Sequence, residues 1–235
     1  MPTDRTRAAP PQLLAISASL SIADDLFERW LRRLAEAGVD GVQLRDRKID
    51  DLRLFHLARR ARELLPAGCR LLVNRRVDVA LAAGADRVHL PADGLPLAPL
   101  RRRFGDRLLI GRSTHHPEEV AAARRDGADY ATFGPVFPTP SKESYGPPPG
   151  LAELQRATAA APGFPVLALG GLTADRLSAL GEVAAAGAAG VAGIRAFADS
   201  AAPPELAELA QRAAECFQVP RRDMISPPQT GGSEE

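Results

Sequence analysis

The sequence predicts a single-domain (β/α)8 barrel with flexible termini, and two observations lead to this prediction. First, a short pattern occurs four times directly before an apolar run: a helix ends at glycine, then comes Ala or Val, and usually Asp. The first three copies lie roughly 45 residues apart and the last about 60, so each should precede an even-numbered strand. Second, 235 residues with 45% hydrophobic content can bury one large core. The four copies are Gly38-Val39-Asp40, Gly84-Ala85-Asp86, Gly127-Ala128-Asp129 and Gly187-Ala188-Ala189.

The order of elements has to support the repeat, because similar patterns also occur in other α/β proteins. In the first half of the chain, short apolar runs alternate with longer stretches that have one apolar face. Ser21 and Asp24 are spaced as a capping box for the first helix. The predicted strands are Leu13–Ala18, Val42–Leu44, Leu71–Val73 and Val88–Leu90, and the predicted helices are Ser21–Ala37, Ile49–Leu65, Val77–Ala83 and Leu97–Phe104.

The second half supplies four more units and one long loop. Pro117 begins a helix, since proline and early acidic residues favour a first turn, and Thr173 is a candidate N-cap. Residues 134–150 are rich in turn formers, and a loop of that length predicts a functional role. Polar ends predict disorder at 1–11 and 219–235, with the barrel at 12–218. The predicted strands are Leu108–Ile110, Tyr130–Phe133, Val166–Leu169 and Val191–Ile194, and the helices are Pro117–Arg125, Leu151–Ala160, one from Ala174, and Pro204–Phe217.

Composition excludes several classes of protein. The net charge is +1, with acidic and basic residues mixed along the chain, so nothing favours binding to nucleic acid or to a membrane surface. No apolar run reaches the length of a spanning helix and the start lacks a hydrophobic signal core, so we expect a cytoplasmic protein. Cys69 and Cys216 form no CxxC motif, and the four histidines do not recur at zinc-ligand spacing. The chain alone leaves open whether it forms a homodimer.

Polar residues follow the predicted strands, and in this fold the carboxyl ends of the strands form the active site. The set is cationic and rich in hydroxyl groups, which favours an anionic ligand, with phosphate as the first choice. Glycines after strands seven and eight would let backbone N–H groups reach a phosphate, and Arg195 could grip two oxygens. The competing interpretation of Gly170-Gly171 is a simple tight turn. The set comprises Gln43, Arg45, Arg47, Asn74, Asp93, Ser113, His115, Thr139, Ser141, Lys142, Gly170, Gly171, Gly193 and Arg195.

Lys142 and the histidines are candidates for chemistry. Lysine occurs only at Lys48 and Lys142 in an arginine-rich chain, and a flexible ammonium in a loop suits a phosphate, although chance is the competing account. His115 and His116 follow Ser113, where one could act as general acid or base. His89 alternates with apolar neighbours, so it either points into the barrel or is a buried histidine bonded to a backbone group.

These residues resemble the thiamine phosphate synthase and TenI family of phosphate-binding (β/α)8 barrels, from strand one to the last helix. The matching segments each lie at a predicted strand end. Together, in this order, they indicate the family more specifically than any single segment does. They are Val42–Arg47 (VQLRDR), Val73-Asn74 with Arg76–Leu81 (RVDVAL), Ile110–His115 (IGRSTH), Gly134–Lys142 (GPVFPTPSK) and Leu169–Leu172 (LGGL).

The resemblance implies roles for these residues. Synthases join an aminopyrimidine diphosphate to a thiazole phosphate by losing pyrophosphate and capturing the pyrimidine cation with the thiazole nitrogen. That chemistry needs positioning and charge neutralisation and no protein nucleophile. The aminopyrimidine diphosphate positions are Gln43, Arg45, Arg47, Asn74, Ser113 and Lys142, and the thiazole phosphate positions are Thr139, Ser141, Gly171, Ile194 and Arg195, next to Gly170 and Gly193.

The sequence departs from the synthases at the magnesium site. Synthases carry an aspartate directly after the Asn74 position and another near the end of strand four, and both bind magnesium. Here the first is Arg75 and the second is Gly94, with Asp93 one residue early. A guanidinium should repel a divalent cation, so we predict no metal and no other cofactor, with magnesium disfavoured. Either Arg75 neutralises pyrophosphate itself, or the chemistry differs.

A second departure favours the TenI branch, whose known activity is thiazole tautomerisation without magnesium. Val88–Gly94 (VHLPADG) resembles that branch, but Pro135 stands where it places a histidine, so His115 or His116 would have to move the proton. Arg195 replaces a serine common to both branches. The sequence therefore predicts a thiazole phosphate-binding enzyme with TenI-like tautomerase activity. The alternatives are a thiamine phosphate synthase and a non-catalytic binding or regulatory protein.

Overall fold

A computed structural model describes residues 9–139, 148–173, 178–198 and 203–217 of the chain. Eight parallel strands close into a barrel in which β1 pairs with both β2 and β8, which confirms the predicted fold. The strands are β1 Leu13–Ile16, β2 Gly41–Leu44, β3 Arg70–Asn74, β4 Arg87–Leu90, β5 Leu109–Thr114, β6 Tyr130–Phe133, β7 Val166–Leu169 and β8 Gly190–Gly193.

Helices follow the strands and cover the outside of the barrel. They are α1 Asp24–Glu36, α2 Asp51–Leu64, α3 Val77–Ala82, α4 Leu97–Phe104, α5 Pro117–Arg125, α6 Gly150–Ala159, α7 Ala179–Ala185 and α8 Pro203–Cys216. Short 3-10 helices at Gly105–Arg107 and Arg195–Phe197 complete the described elements. No helix in these ranges is long and apolar enough to cross a bilayer.

The core has two parts, as alternation along the strands requires. Residues such as Leu13 and Ala15 face the helices and join the large apolar layer between sheet and helices. Their neighbours Leu14 and Ile16 point into the barrel, where they pack with Leu72, Tyr130, Leu167 and Ala192. The barrel interior is therefore filled with side chains, and open space is found at its rim.

The repeated Gly-Ala-Asp pattern does precede the even-numbered strands, and the structure shows what its aspartate does. The carboxylate of Asp40 accepts hydrogen bonds from the backbone N–H groups of Gln12 and Leu13, both at 2.8 Å. Asp86 accepts from Leu71 N–H at 2.7 Å, and Asp129 accepts from Ile110 N–H at 2.6 Å. Each aspartate thus fixes the start of the preceding odd-numbered strand. In the fourth copy Ala189 has no carboxylate to offer.

Asp129→Ala is expected to lower the free energy of unfolding by about 2–3 kcal/mol, because it leaves the Ile110 N–H and the Arg101 guanidinium without their shared acceptor. Asp126→Ala is the matched control. That aspartate is exposed, and its carboxylate lies 3.6 Å from the guanidinium of Arg125, which is exposed as well. Urea unfolding should show a change within about 0.5 kcal/mol for the control. Equal losses in both variants would contradict the role of the repeat.

Some predicted boundaries are wrong. The Ser21 capping box does not form: the N-cap of α1 is Ala23, without a side-chain cap, and the Ser21 hydroxyl lies 3.4 Å from Asp46 instead. The hydroxyl therefore donates to a carboxylate in the β2–α2 loop, as a charge-assisted hydrogen bond, and does not accept from a helix N–H group. Strand β5 runs on to Thr114, because polar residues facing a barrel interior still pair in the sheet. The helix predicted from Ala174 begins outside the described residues. Most of the two termini predicted to be disordered also lies outside them.

Candidate active site

A cavity of about 700 Å³ opens at the carboxyl ends of the strands. It collects most of the predicted site residues, from β2 around to β8. His116 does not line it, Arg75 lies beside it next to Asp93, and Ser141 and Lys142 fall outside the described residues. The predicted residues that line it are Gln43, Arg45, Arg47, Asn74, Asp93, Ser113, His115, Thr139, Gly170, Gly171, Gly193, Ile194 and Arg195.

One end of the cavity is formed by the β7 turn and the loop after β6. Gly170 and Gly171 both have positive φ, 99° and 68°, and a Cβ on Gly171 would lie 2.5 Å from Cβ of Phe137. The Phe137 N–H donates to the Gly170 carbonyl at 3.3 Å. Arg195 donates from Nη2 to Thr139 Oγ1 at 2.9 Å. The glycines therefore make a tight turn that lines this end of the cavity, and Arg195, after β8, lines the same end.

The other end gathers positive charge after β2 and β3. Burial first, and then the nearby Arg47 and Arg75 charges, lower the pKa of the Arg45 guanidinium. Asp93 is the one carboxylate that lines the cavity in the described part of the chain. Its pKa is lowered chiefly by the hydrogen bond from Arg75 Nη2, at 2.6 Å. Arginines therefore outnumber carboxylates along the lining of this end, although the nearby Asp46 carboxylate also acts on Arg45.

Two buried polar atoms in the cavity wall have no hydrogen-bond partner among the described residues, Gln43 Nε2 and Thr132 Oγ1. Each of the two residues is only 1% exposed. Buried polar groups are normally hydrogen-bonded, which makes these two atoms candidate contacts for a ligand in the cavity. Gln43 was among the predicted residues. Thr132 was missed, because a threonine inside a short apolar strand gives no sign of which way its hydroxyl points.

A hydrogen-bonded chain rises from the barrel interior to the cavity. The hydroxyl of Tyr130 lies 2.9 Å from Nδ1 of His89, and Nε2 of His89 lies 2.9 Å from Oγ of Ser113. Burial first, then the charges of Arg112 and Arg45, lower the pKa of His89 to about 3, so the ring is neutral at neutral pH. His89 does point into the barrel, and its partners are side chains and not a backbone group.

The two predicted proton-transfer histidines have different surroundings. His115 lines the cavity, and its Nδ1 lies 2.7 Å from the Gly134 carbonyl. Since a carbonyl can only accept, Nδ1 carries a proton and Nε2 is the basic nitrogen of the neutral ring. His116 is exposed and is the N-cap residue of α5, away from the cavity. Of the pair, only His115 could reach a ligand in the cavity.

The described residues do not fit a magnesium ion. Magnesium is held through one or two carboxylates together with substrate phosphates, and the one carboxylate lining the cavity in the described ranges is Asp93. Asp93 is already paired with Arg75, and the guanidinium groups of Arg45 and Arg47 are close by. A magnesium ion placed there would be repelled by these three guanidinium groups.

Sequence comparison agrees with this architecture. The family model described as thiamine monophosphate synthase matches residues 13–197. The chain belongs to this family. Its curated relatives include a thiamine-phosphate synthase from Mycolicibacterium smegmatis, 44% identical over 221 residues, covering 87% of this chain and 95% of the relative. Another thiamine-phosphate synthase, from Gloeobacter violaceus, is 40% identical over 75% of this chain and 50% of its own length.

A similar solved structure shares the fold. The thiamine phosphate pyrophosphorylase from Pyrococcus furiosus has a TM-score of 0.76 and 27% sequence identity, covering 90% of this chain and 99% of that one. Membership places the chain in thiamine biosynthesis. The relatives' names favour the synthase, which was the alternative, over the TenI-like tautomerase that the sequence interpretation put first.

Proposed function

We propose that this chain is a thiamine phosphate synthase, which joins an aminopyrimidine diphosphate to a thiazole phosphate and releases pyrophosphate. The observation that carries the proposal is the presence of two cationic ends in one cavity. The arginine end follows β2 and β3, and the glycine end follows β7 and β8. In the closed barrel these two pairs of strands are separated by β1 on one side and by β4, β5 and β6 on the other, so the two ends are distinct positions on one rim.

The charge at each end suits one of the two substrates. Arg45 and Arg47, with Arg75 beside them, supply enough positive charge for a diphosphate, which carries more charge than a single phosphate or carboxylate. The amides of the β7 turn and Arg195 suit the single phosphate of the thiazole. The tautomerase substrate carries one phosphate and one carboxylate, which leaves the arginine end with excess positive charge.

The proposed reaction needs no nucleophile from the protein. The bond between the pyrimidine methylene carbon and the diphosphate oxygen breaks, and its electron pair leaves with pyrophosphate. The lone pair of the thiazole nitrogen then forms the new bond to that carbon. Guanidinium groups stabilise the charge that develops on the leaving group, and the cavity walls hold the two reactants within reach. Ser113, at the head of the hydrogen-bonded chain, is placed to donate to a ligand oxygen.

The test is direct. Purified protein with aminopyrimidine diphosphate and thiazole phosphate should release pyrophosphate and form thiamine phosphate in equal amounts, and omission of either substrate should stop product formation. Failure to form thiamine phosphate while both substrates bind would overturn the synthase and favour a non-catalytic binding protein. Lys142, Ser141 and Thr139 remain predicted contacts in this reaction.

Tautomerisation is a second candidate because His115 offers a basic Nε2 at the cavity wall. For this activity, His115→Ala should abolish the conversion of thiazole carboxylate phosphate between tautomers while leaving its binding intact. His116→Ala is the matched control, since His116 does not line the cavity. Tautomer conversion can be followed by proton exchange at the ring carbon in NMR spectra. Wild-type protein that shows no such exchange would exclude this candidate.

Thr132→Val is expected to change stability and activity in opposite directions. The valine removes a buried hydroxyl that has no partner among the described residues, so the free energy of unfolding should rise by about 1 kcal/mol. The kcat/KM for condensation should fall about tenfold, because a ligand loses one hydrogen bond. Thr114→Val is the control: its hydroxyl donates to the Thr132 carbonyl at 3.0 Å, so the same change should lower stability. Lower stability in Thr132→Val would contradict the prediction.

A further inference from the structure

Arg75 stands out at the mouth of the cavity because of its backbone. It is the one described residue other than glycine with a positive φ, 65°. Its N–H donates to the His89 carbonyl at 2.9 Å, which anchors the residue between the ends of β3 and β4. A left-handed conformation is unfavourable for a residue with a Cβ, and such residues persist where the surrounding structure holds them, often at functional sites. The fold therefore fixes Arg75 in this place.

The side chain of Arg75 forms an ion pair with Asp93 beside the cavity. Nη2 lies 2.6 Å from Oδ1 of Asp93, with the two side chains 43% and 76% exposed. An ion pair this exposed contributes little to stability and breaks readily. Arg45 and Arg47 line the same end of the cavity. The Arg75 charge is near enough to lower the pKa of Arg45, so a guanidinium released from Asp93 would be near a diphosphate bound by Arg45 and Arg47.

We propose that Arg75 neutralises the leaving pyrophosphate in place of a divalent cation, so that this chain carries out its reaction without metal. The inference rests on the proposed function, since it assigns the diphosphate end of that site. As the carbon–oxygen bond breaks, the electron pair passes to pyrophosphate, and the guanidinium binds two of its oxygens with parallel hydrogen bonds. No proton is transferred, because arginine stays charged.

In this proposal Asp93 binds the Arg75 guanidinium when no pyrophosphate is present. Its carboxylate competes with pyrophosphate for Arg75, and it is the one carboxylate lining the cavity in the described ranges. Removing its charge should therefore tighten pyrophosphate binding. In a metal site the same change would remove a ligand and weaken binding. The two explanations thus predict opposite effects for Asp93→Asn.

The experiment measures binding of inorganic pyrophosphate to full-length protein by calorimetry, in EDTA and in magnesium chloride. Wild type should bind in EDTA, and magnesium should not tighten binding. Arg75→Asn, which keeps a residue that tolerates positive φ, should bind about tenfold to a hundredfold more weakly. Asp93→Asn should bind a few-fold more tightly. Arg29→Ala removes an exposed arginine from α1 and is the control for net charge, so its affinity should equal that of wild type.

Arg75→Asp adds a test in the other direction. With a second carboxylate next to Asp93, pyrophosphate binding should become dependent on magnesium, and manganese should give an EPR signal from bound ion that wild type lacks. Circular dichroism spectra and melting curves of each variant show whether it is folded. Pyrophosphate binding by wild type that requires magnesium, or that is unchanged in Arg75→Asn, would overturn the inference.

The outcomes separate this inference from the proposed function. Thiamine phosphate formation that stops in EDTA would leave the synthase standing and overturn the role of Arg75. Metal-free pyrophosphate binding that depends on Arg75, without thiamine phosphate formation, would support the anion site and overturn the synthase. Turnover in EDTA that falls in Arg75→Asn in parallel with pyrophosphate affinity supports both.

Discussion

Gly171→Ala is expected to abolish measurable thiazole phosphate binding and to lower the free energy of unfolding by about 2–5 kcal/mol. The added Cβ would lie 2.5 Å from Cβ of Phe137 and 2.8 Å from its backbone carbon and oxygen, at a residue whose φ is 68°. Backbone atoms cannot rotate out of the way as a flexible side chain can. The β7 turn and the loop after β6 would have to separate, and the amides at the glycine end of the cavity would lose their positions.

Gly163→Ala is the control that separates backbone conformation from crowding. Gly163 also has a positive φ, 75°, but no atom of the described residues lies within 4 Å of an added Cβ. This variant should lose only the conformational part, about 1–2 kcal/mol, and should bind thiazole phosphate like wild type. Calorimetric titration with thiazole phosphate and urea unfolding measure the two quantities. If the Gly171→Ala protein is as stable as Gly163→Ala and still binds thiazole phosphate, the β7 turn does not form the phosphate site.

The fold, and most of the residues that line the cavity at the carboxyl ends of the strands, could be predicted from the sequence because both follow from position along the chain. Helix-ending glycines mark each return to the sheet, and the parallel strands put their carboxyl ends at one rim. Residues as distant as Gln43 and Arg195 therefore line one cavity. Neither result needs knowledge of which side chain touches which.

The partners of individual side chains could not be predicted, because they depend on the register between strands. His89 pairs with Gly111 across β4 and β5, and Gly111 pairs with Tyr130 across β5 and β6. A Cβ on Gly111 would lie 2.1 Å from Cζ of Tyr130, so the glycine makes room for the ring. That space lets the hydroxyl reach His89 from two strands away. Nothing local to Gly111 indicates this use.

The direction in which the groups of the hydrogen-bonded chain donate follows from its buried members, Tyr130 and His89. Tyr130 is fully buried, burial raises the pKa of its hydroxyl, and among the described residues its hydrogen bond is to His89. The phenol therefore donates to Nδ1, and the neutral imidazole carries its proton on Nε2 and donates to Ser113. Ser113 is left to direct its own hydroxyl proton into the cavity. An anionic ligand would find a donor there.

The neutrality of His89 predicts a loss of stability in mild acid. Its pKa of about 3 in the folded protein lies below the value near 6.5 of the unfolded chain, so the unfolded chain takes up the proton first. The contribution to stability is complete above about pH 6.5 and is lost as the pH falls toward 3. Between about pH 6.5 and 5, the free energy of unfolding should decrease by up to about 1.4 kcal/mol per pH unit.

His89→Gln should flatten this dependence, because glutamine does not titrate, although the variant will be less stable at every pH. Urea unfolding measured from about pH 8 to 5 gives the slope for each protein. Asp40, whose pKa is raised by burial, contributes with the opposite sign, but it is present in both proteins, so the difference in slope isolates His89. His56→Gln, on the exposed face of α2, should keep the wild-type slope. If His89→Gln shows that slope as well, the pKa of His89 is the same in the folded and the unfolded chain, and burial does not keep the imidazole neutral in mild acid.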